Sequence, residues 1–293
     1  MPDSFLSGLA PSSLSGVLGS AALFLFIYFT LWFLVTEALR NGGLVDIGWG
    51  AGFVLLAAWR MLLAPSFAGV LLWLAVAAWG IRLAMHIGLR NIGKPEDARY
   101  AGFRREWGKG YPLRAYFQLF LFQGLMMGII SLPFLLGYEA ARQGQPVSVV
   151  VFIGGLLVFG FGLAFEAQAD RQLAAFLSKK RRARSLAASQ MENPDFEEVG
   201  LPPEALLTTG LWAWSRHPNY FGESVAWWGI YFMGSALGAP WWTVIGPIVI
   251  TLLLRFVSGV PLLEKRMRGR PGYDAYAAAT PIFIPRRPRK EYM

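Results

Sequence analysis

Apolar positions along this chain neither alternate with polar ones, as on a half-buried strand, nor recur every three or four residues, as on a half-buried helix. They come in long runs. Seven of these approach the ~20 residues a helix needs to cross the bilayer hydrocarbon: roughly 17–37, 44–63, 69–88, 117–136, 147–166, 221–238 and 240–260. The last two are separated only by Gly238, Ala239 and Pro240, which predicts a tight helical hairpin. No alternation runs long enough for a transmembrane barrel. The pattern therefore predicts an all-α polytopic membrane protein with about seven transmembrane helices in a single membrane domain, 1–293. Two large loops, 89–116 and 167–220, and a tail, 261–293, connect and follow the spans. The first run is too long for a signal peptide's apolar region and is preceded by Asp3 rather than by Lys or Arg, so it reads as a retained helix.

Composition agrees. The chain is 55% hydrophobic and 15% charged, where a soluble domain carries about a quarter of charged residues. Cysteine is absent, which excludes disulfides, thiolate metal sites, iron–sulfur clusters and a cysteine nucleophile. Only two histidines occur, His86 and His217, so no metal centre is expected.

The net charge of +9 would suit a nucleic-acid binder, but its placement argues for a membrane. With seven spans, all of the 27 Lys and Arg except Arg60 and Arg142 fall on one side. Positive loops stay cytoplasmic, which puts the amino terminus outside and the carboxyl terminus inside. The run Lys179–Arg184 then reads as orientation plus attraction to anionic membrane lipid, and no nucleic-acid partner is expected. The 89–116 loop, mixing charge with aromatics, is expected along the interface. The stretch SQMENPDFEEVGLPPEALL, with its prolines and acids, is expected to be irregular.

Charged groups facing lipid cost a few kcal/mol, so intramembrane ones turn inward, pair or meet water. Asp46 opens the second span; Arg82 and His86 close the third; Glu166 and Asp170 close the fifth; Asn219 and Glu223 open the sixth; Arg255 and Glu264 bracket the end of the seventh. Several of these pairs are four residues apart and share a helix face. The placement predicts one cytoplasm-facing polar chamber. Plainer readings exist: Asp46 as a cap, Arg82 and His86 snorkelling, Glu166 and Asp170 pairing with Arg171, the tryptophans as an interfacial belt. Asn219 and Glu223, just before Trp227–Trp228–Gly229, are the hardest to absorb that way.

The stretches SRHPNYFGE (215–223), FEAQAD (165–170) and VSGVPLLEKRMRGRPGYDAYAAATPIFIP (257–285) resemble the steroid 5α-reductase C-terminal-domain superfamily, closest to its bacterial branch of unassigned activity. The resemblance implies a reductase of the bacterial cytoplasmic membrane that uses NADPH to saturate a C=C conjugated to a carbonyl in a sterol-like or other lipophilic substrate. The family's sixth-helix Asn and Glu fall on Asn219 and Glu223, and its acid after the fifth helix on Asp170, with Glu166 where the family has Asn. Basic and tyrosine side chains of the tail, here Arg266, Arg268, Arg270, Tyr273 and Tyr276, are the expected cofactor holders, joined by Arg171, Arg216, His217, Tyr220 and Glu264. The family's second-helix Gln-Glu pair has no counterpart; VDIGWG stands in its place. A buried, protonated Asp46 or Glu223 is the candidate donor where negative charge develops on the substrate oxygen.

The chain has no GxGxxG, so the cofactor site is not of the Rossmann kind. Isoprenylcysteine carboxyl methyltransferases share RHPxY and a similar tail, which makes an S-adenosylmethionine-dependent methyltransferase of a lipid or prenyl substrate the alternative. A transporter is disfavoured, because the polar groups gather at one side and no inverted repeat is visible.

Overall fold

A computed structural model describes residues 13–63, 65–188 and 205–287. Every element among them is helical. In chain order they are α1 (Leu14–Ala38), α2 (Val45–Leu63), α3 (Phe67–Asn91), α4 (Ala98–Trp107), α5 (Tyr111–Ala115), α6 (Phe122–Arg142), α7 (Val149–Ala188), α8 (Pro218–Ala236), α9 (Ile245–Leu252), α10 (Val260–Met267) and α11 (Tyr273–Ala279). Among the described residues, six helical stretches are long and apolar enough to cross a membrane: Leu14–Ala38, Gly42–Leu63, Phe67–Leu89, Ala98–Arg142, Val149–Ala183 and Trp241–Met267. The protein is an all-α polytopic membrane protein.

The elements depart from the expected pattern in four places. The sixth expected span, α8, is a 19-residue helix but is not among the six apolar stretches. Asn219, Glu223 and Ser224 in its first two turns dilute its hydropathy. The seventh is not one regular helix: a 3-10 turn, Trp241–Val244, leads into α9, which widens into a π-helical turn, Leu253–Val257. A second π turn, Tyr116–Leu121, joins α5 to α6. The fifth helix does not stop near 166; α7 runs 40 residues to Ala188, about 60 Å of helix against ~30 Å of hydrocarbon. Its extension, AQADRQLAAFLSKKRRARSLAA, contains only good or tolerable helix formers and no Gly or Pro, so nothing ends it at the membrane edge. The polar stretch from 189 to 204, expected to be irregular, lies outside the described residues.

The chain divides into two compact units: one takes the chain up to Leu157 together with Trp228–Val249, the other Val158–Trp227 together with the chain from Ile250. In the first, Ser13 and Ser66 cap α1 and α3 by accepting from Gly16 N (3.1 Å) and Gly69 N (3.0 Å). The 89–116 loop carries α4, capped by Asp97, and folds back onto the end of α1 and the start of α2 through ion pairs. Arg104 reaches Glu37 (3.1 Å) and Glu96 (3.2 Å), and Glu96 accepts from Gly42 N (2.8 Å). Arg99 and the Tyr100 hydroxyl donate to the two oxygens of Asp46 at 2.7 and 2.8 Å.

At the opposite ends of α2 and α6, Arg60 is 1% exposed and donates to Glu139 at 2.9 Å. The same carboxylate accepts from Arg142 (2.6 Å) and Gln143 (2.9 Å), so its lone pairs are filled. These are the two arginines that the charge count left on the sparsely charged side, and they share one acid. Removing one member of a buried pair costs about 3–5 kcal/mol, because the other charge is left uncompensated, whereas apolar replacement of both is often tolerated. Glu139→Gln is therefore expected to lower the unfolding temperature in detergent sharply, and Arg60→Met combined with Glu139→Leu to recover most of the loss. A double variant as unstable as the single one would contradict this.

Candidate functional site

The second unit holds most of the polar residues singled out from the sequence. Its base is the crossing of α7 and α8. A Cβ placed on Gly222 would lie 2.6 Å from Glu166 N and 2.8 Å from Gly162 O, so the helices touch backbone to backbone, an approach only glycine allows. The close crossing carries the polar ends of both helices together. Asn219 Nδ2 donates to Asp170 at 3.1 Å, joining the end of FEAQAD to the start of the sixth-helix motif. Asn219 Oδ1 is buried and accepts no hydrogen bond from the described residues. Glu166 and Glu223 are both buried within the same unit, Glu223 one turn along α8 from Asn219 and on its face.

The segment entering α8 is fastened from two sides. Toward α7, Gln172 Oε1 accepts from Leu211 N at 2.9 Å and Trp212 Nε1 donates to Ala169 O at 3.1 Å. Toward the tail, one carboxylate does most of the binding. Glu264, on α10, accepts Nε and Nη2 of Arg216 at 3.1 and 2.9 Å, a bidentate fork. It also accepts His217 Nε2 at 2.8 Å and the Tyr273 hydroxyl at 2.5 Å. A carboxylate partner requires His217 Nε2 to carry its proton. The other edge of Arg216 is spent as well, its Nη1 donating to the carbonyls of Ala277 (2.7 Å) and Thr280 (3.0 Å).

Beyond α11 the tail becomes a strap. Arg216 N donates to Pro281 O (2.9 Å), Ser215 Oγ to Phe283 O (2.7 Å) and Arg286 N to Trp214 O (3.0 Å). The Tyr276 hydroxyl donates to Trp212 O at 2.6 Å. Burial raises the Tyr276 phenol above its ordinary range, and burial with the Glu264 carboxylate pushes Tyr273 up to about 12.

The sequence-predicted residues thus fall into three groups. Glu166, Asp170, Asn219 and Glu223 line the α7–α8 crossing. Arg216, His217, Glu264, Tyr273 and Tyr276 hold the strap, with the Arg216 fork committed to the chain itself; Tyr220 stacks its ring on His217 at 5.9 Å. Arg171, Arg266 and Arg270 are exposed. Asp46 belongs to the other unit, where Arg99 and Tyr100 donate to its two oxygens. Gln172, Ser215 and Thr280 were not singled out in the sequence, and Trp212 was read only with the other tryptophans as interfacial belt or packing. Ser215 directly precedes the RHP triplet and Gln172 follows Asp170 by two residues, but their partners lie some 40 to 70 residues away.

Residues 32–280 match the family described as protein of unknown function, DUF1295. The chain belongs to the DUF1295 family. The match takes in the α7–α8 crossing, the Glu264 cluster and α11. An uncharacterised protein of Schizosaccharomyces pombe is 27% identical over 216 residues, which cover 71% of this chain and 60% of that protein. No solved structure matches.

In this DUF1295 member, hydrogen bonds to an ionised group are worth about 1.5–3 kcal/mol each. Tyr273→Phe and Arg216→Lys are each expected to lower stability by about that much, and the double variant by less than the sum, because both act on Glu264. Additive losses would show that the two do not share one acceptor. An unfolded tyrosine titrates near 10. With Tyr273 held up to about 12, its stabilisation is intact below pH ~10 and lost as pH rises through about 12. Tyr273→Phe is expected to shallow that alkaline limb, leaving the part due to Tyr276.

Proposed function

We propose that this DUF1295 protein is a membrane-embedded, NADPH-dependent reductase that saturates a carbon–carbon double bond conjugated to a carbonyl in a sterol-like or other lipophilic substrate. The reading is supported by the resemblance of three separated motifs to the steroid 5α-reductase superfamily. One observation carries it. Asn219 is fixed by Asp170, yet its carbonyl oxygen is buried without a donor among the described residues. A buried acceptor left unanswered costs roughly 1–3 kcal/mol, and the carboxamide N–H of a nicotinamide ring would answer it. The residues present therefore fit the cofactor at that point.

In this reading Asp170 and Asn219 orient the nicotinamide end, and the bound cofactor supplies the hydride. The phosphates fall to the exposed guanidiniums of Arg171, Arg266 and Arg270, because the Arg216 fork is committed to Glu264. Arg216 and His217 act one step back, fixing the segment on which Asn219 stands. Glu223, buried one turn deeper on the same face, is the better-placed residue to hold a proton near the substrate's carbonyl oxygen, since both oxygens of Asp46 already accept from Arg99 and Tyr100.

Purified protein in detergent is expected to be stabilised by NADPH. At about a hundred times Kd the gain is about 2.7 kcal/mol, a rise in Tm of about 5 °C or more. Asn219→Ala should lose most of that rise while unfolding normally without nucleotide. Stabilisation by S-adenosylmethionine and not by NADPH or NADH would replace the reading with a methyltransferase; no response to any of the three would remove it.

A further inference from the structure

We propose that the strap formed by Trp214 and the chain around Ile284–Arg287 is a docking surface for anionic phospholipid headgroups, seated on the leaflet where the Trp241–Met267 stretch ends. The inference stands whether or not a nucleotide binds.

The surface is built by the pairing just described. Arg286 N on Trp214 O and Ser215 Oγ on Phe283 O bring Trp214 alongside Ile284. Their neighbours Trp212 and Phe283 are buried, so the core of this unit is already supplied. Trp214 and Ile284 nevertheless remain 48% and 69% exposed. An exposed tryptophan beside an exposed isoleucine on a strap held by the hydrogen bonds of Arg216 N, Ser215 Oγ and Arg286 N is not a loosely packed end. It is a rigid apolar pair directed away from the protein. Beside it stand the exposed Arg286 and Arg287.

Position and charge select the occupant. Arg216, two residues after Trp214, is ion-paired to Glu264 in the last turn of the Trp241–Met267 stretch, so Trp214 stands near the end of an apolar stretch long enough to cross the membrane. That places it close to headgroup depth. Tryptophan favours that layer because its ring is apolar and its N–H is polar. On the span that ends in the same unit, Phe256 and Val257 are also more than half exposed, and Lys265 is exposed on α10. Apolar side chains rimmed by cations match an anionic bilayer surface, where each arginine near the headgroups changes occupancy by roughly fivefold. A soluble acidic protein would have to displace headgroups to reach the same pair.

The absence of cysteine makes a direct test possible. Ile284→Cys and, as a control on the exposed polar face of α11, Asp274→Cys are each labelled with an environment-sensitive fluorophore and placed in lipid nanodiscs. With phosphatidylglycerol present, the label at 284 is expected to shift to the blue and to lose fluorescence to a quencher carried on the lipid, and the label at 274 to do neither. Arg286→Gln with Arg287→Gln, or replacement of phosphatidylglycerol by phosphatidylcholine, should weaken the quenching several-fold, and Trp214→Ala should weaken it in either lipid. Unchanged unfolding temperatures for the labelled proteins establish that the strap itself is intact. A label at 284 as accessible to aqueous quenchers as the one at 274 would overturn the proposal. So would a label shielded from water but untouched by the lipid-borne quencher, which would mean that protein, a second copy or another partner, covers the surface.

Discussion

The second unit depends on one carboxylate. Glu264 accepts from Arg216, His217 and Tyr273, side chains that come from either side of a polar loop and two membrane-associated helices. An acid so placed is costly to bury unless its lone pairs are filled, and here donors on three residues fill them. The consequence reaches beyond local stability. The Arg216 fork faces Glu264 and two tail carbonyls, so the segment that leads into α8 and the tail that follows α10 are held as one body. Whatever α8 presents at its mouth, Asn219 and Glu223 included, is presented in an orientation that the tail helps to fix.

The same economy governs the other charges. Arg60 shares Glu139 with Arg142 at one end of the first unit, and Asp46 takes Arg99 and Tyr100 at the other. In each case a helix-borne charge is matched by a partner from a distant part of the chain. In a membrane protein this does two things at once. It makes the charge tolerable, and it fixes the register of the loops that carry the partners. The 89–116 loop illustrates it: beside its buried Tyr100 and Tyr111, Arg99 and Arg104 tie it to α2 and α1 through Asp46 and Glu37.

Much of this was legible from the chain alone, and the limits of legibility are physical. Long apolar runs predict spanning helices because hydrocarbon satisfies no backbone group, and six of the seven runs fall in helical stretches long and apolar enough to cross a membrane. The joining of Asp170 to Asn219 follows from two motifs at the ends of consecutive helices. What the pattern could not show is where a helix ends once it has left the membrane. Hydropathy falls after Phe165, but helix propensity does not, and α7 continues. Nor could it distinguish an exposed guanidinium from one that holds the chain: Arg216 and Arg266 look alike in sequence, and only the position of Glu264 separates them. The dilution of α8 by Asn219, Glu223 and Ser224 was visible, but its meaning, a helix whose polar end is packed against a neighbour, depends on the glycine contact with α7.

The central claim is that Glu264 couples the α8 entry to the tail. Hydrogen–deuterium exchange on the Glu264→Ala variant in nanodiscs tests it most directly. The account predicts faster exchange together in 211–217 and in 272–286, with 98–107 unchanged, because the two segments lose their common anchor. Faster exchange confined to 272–280, with 211–217 as protected as in the parent protein, would contradict it.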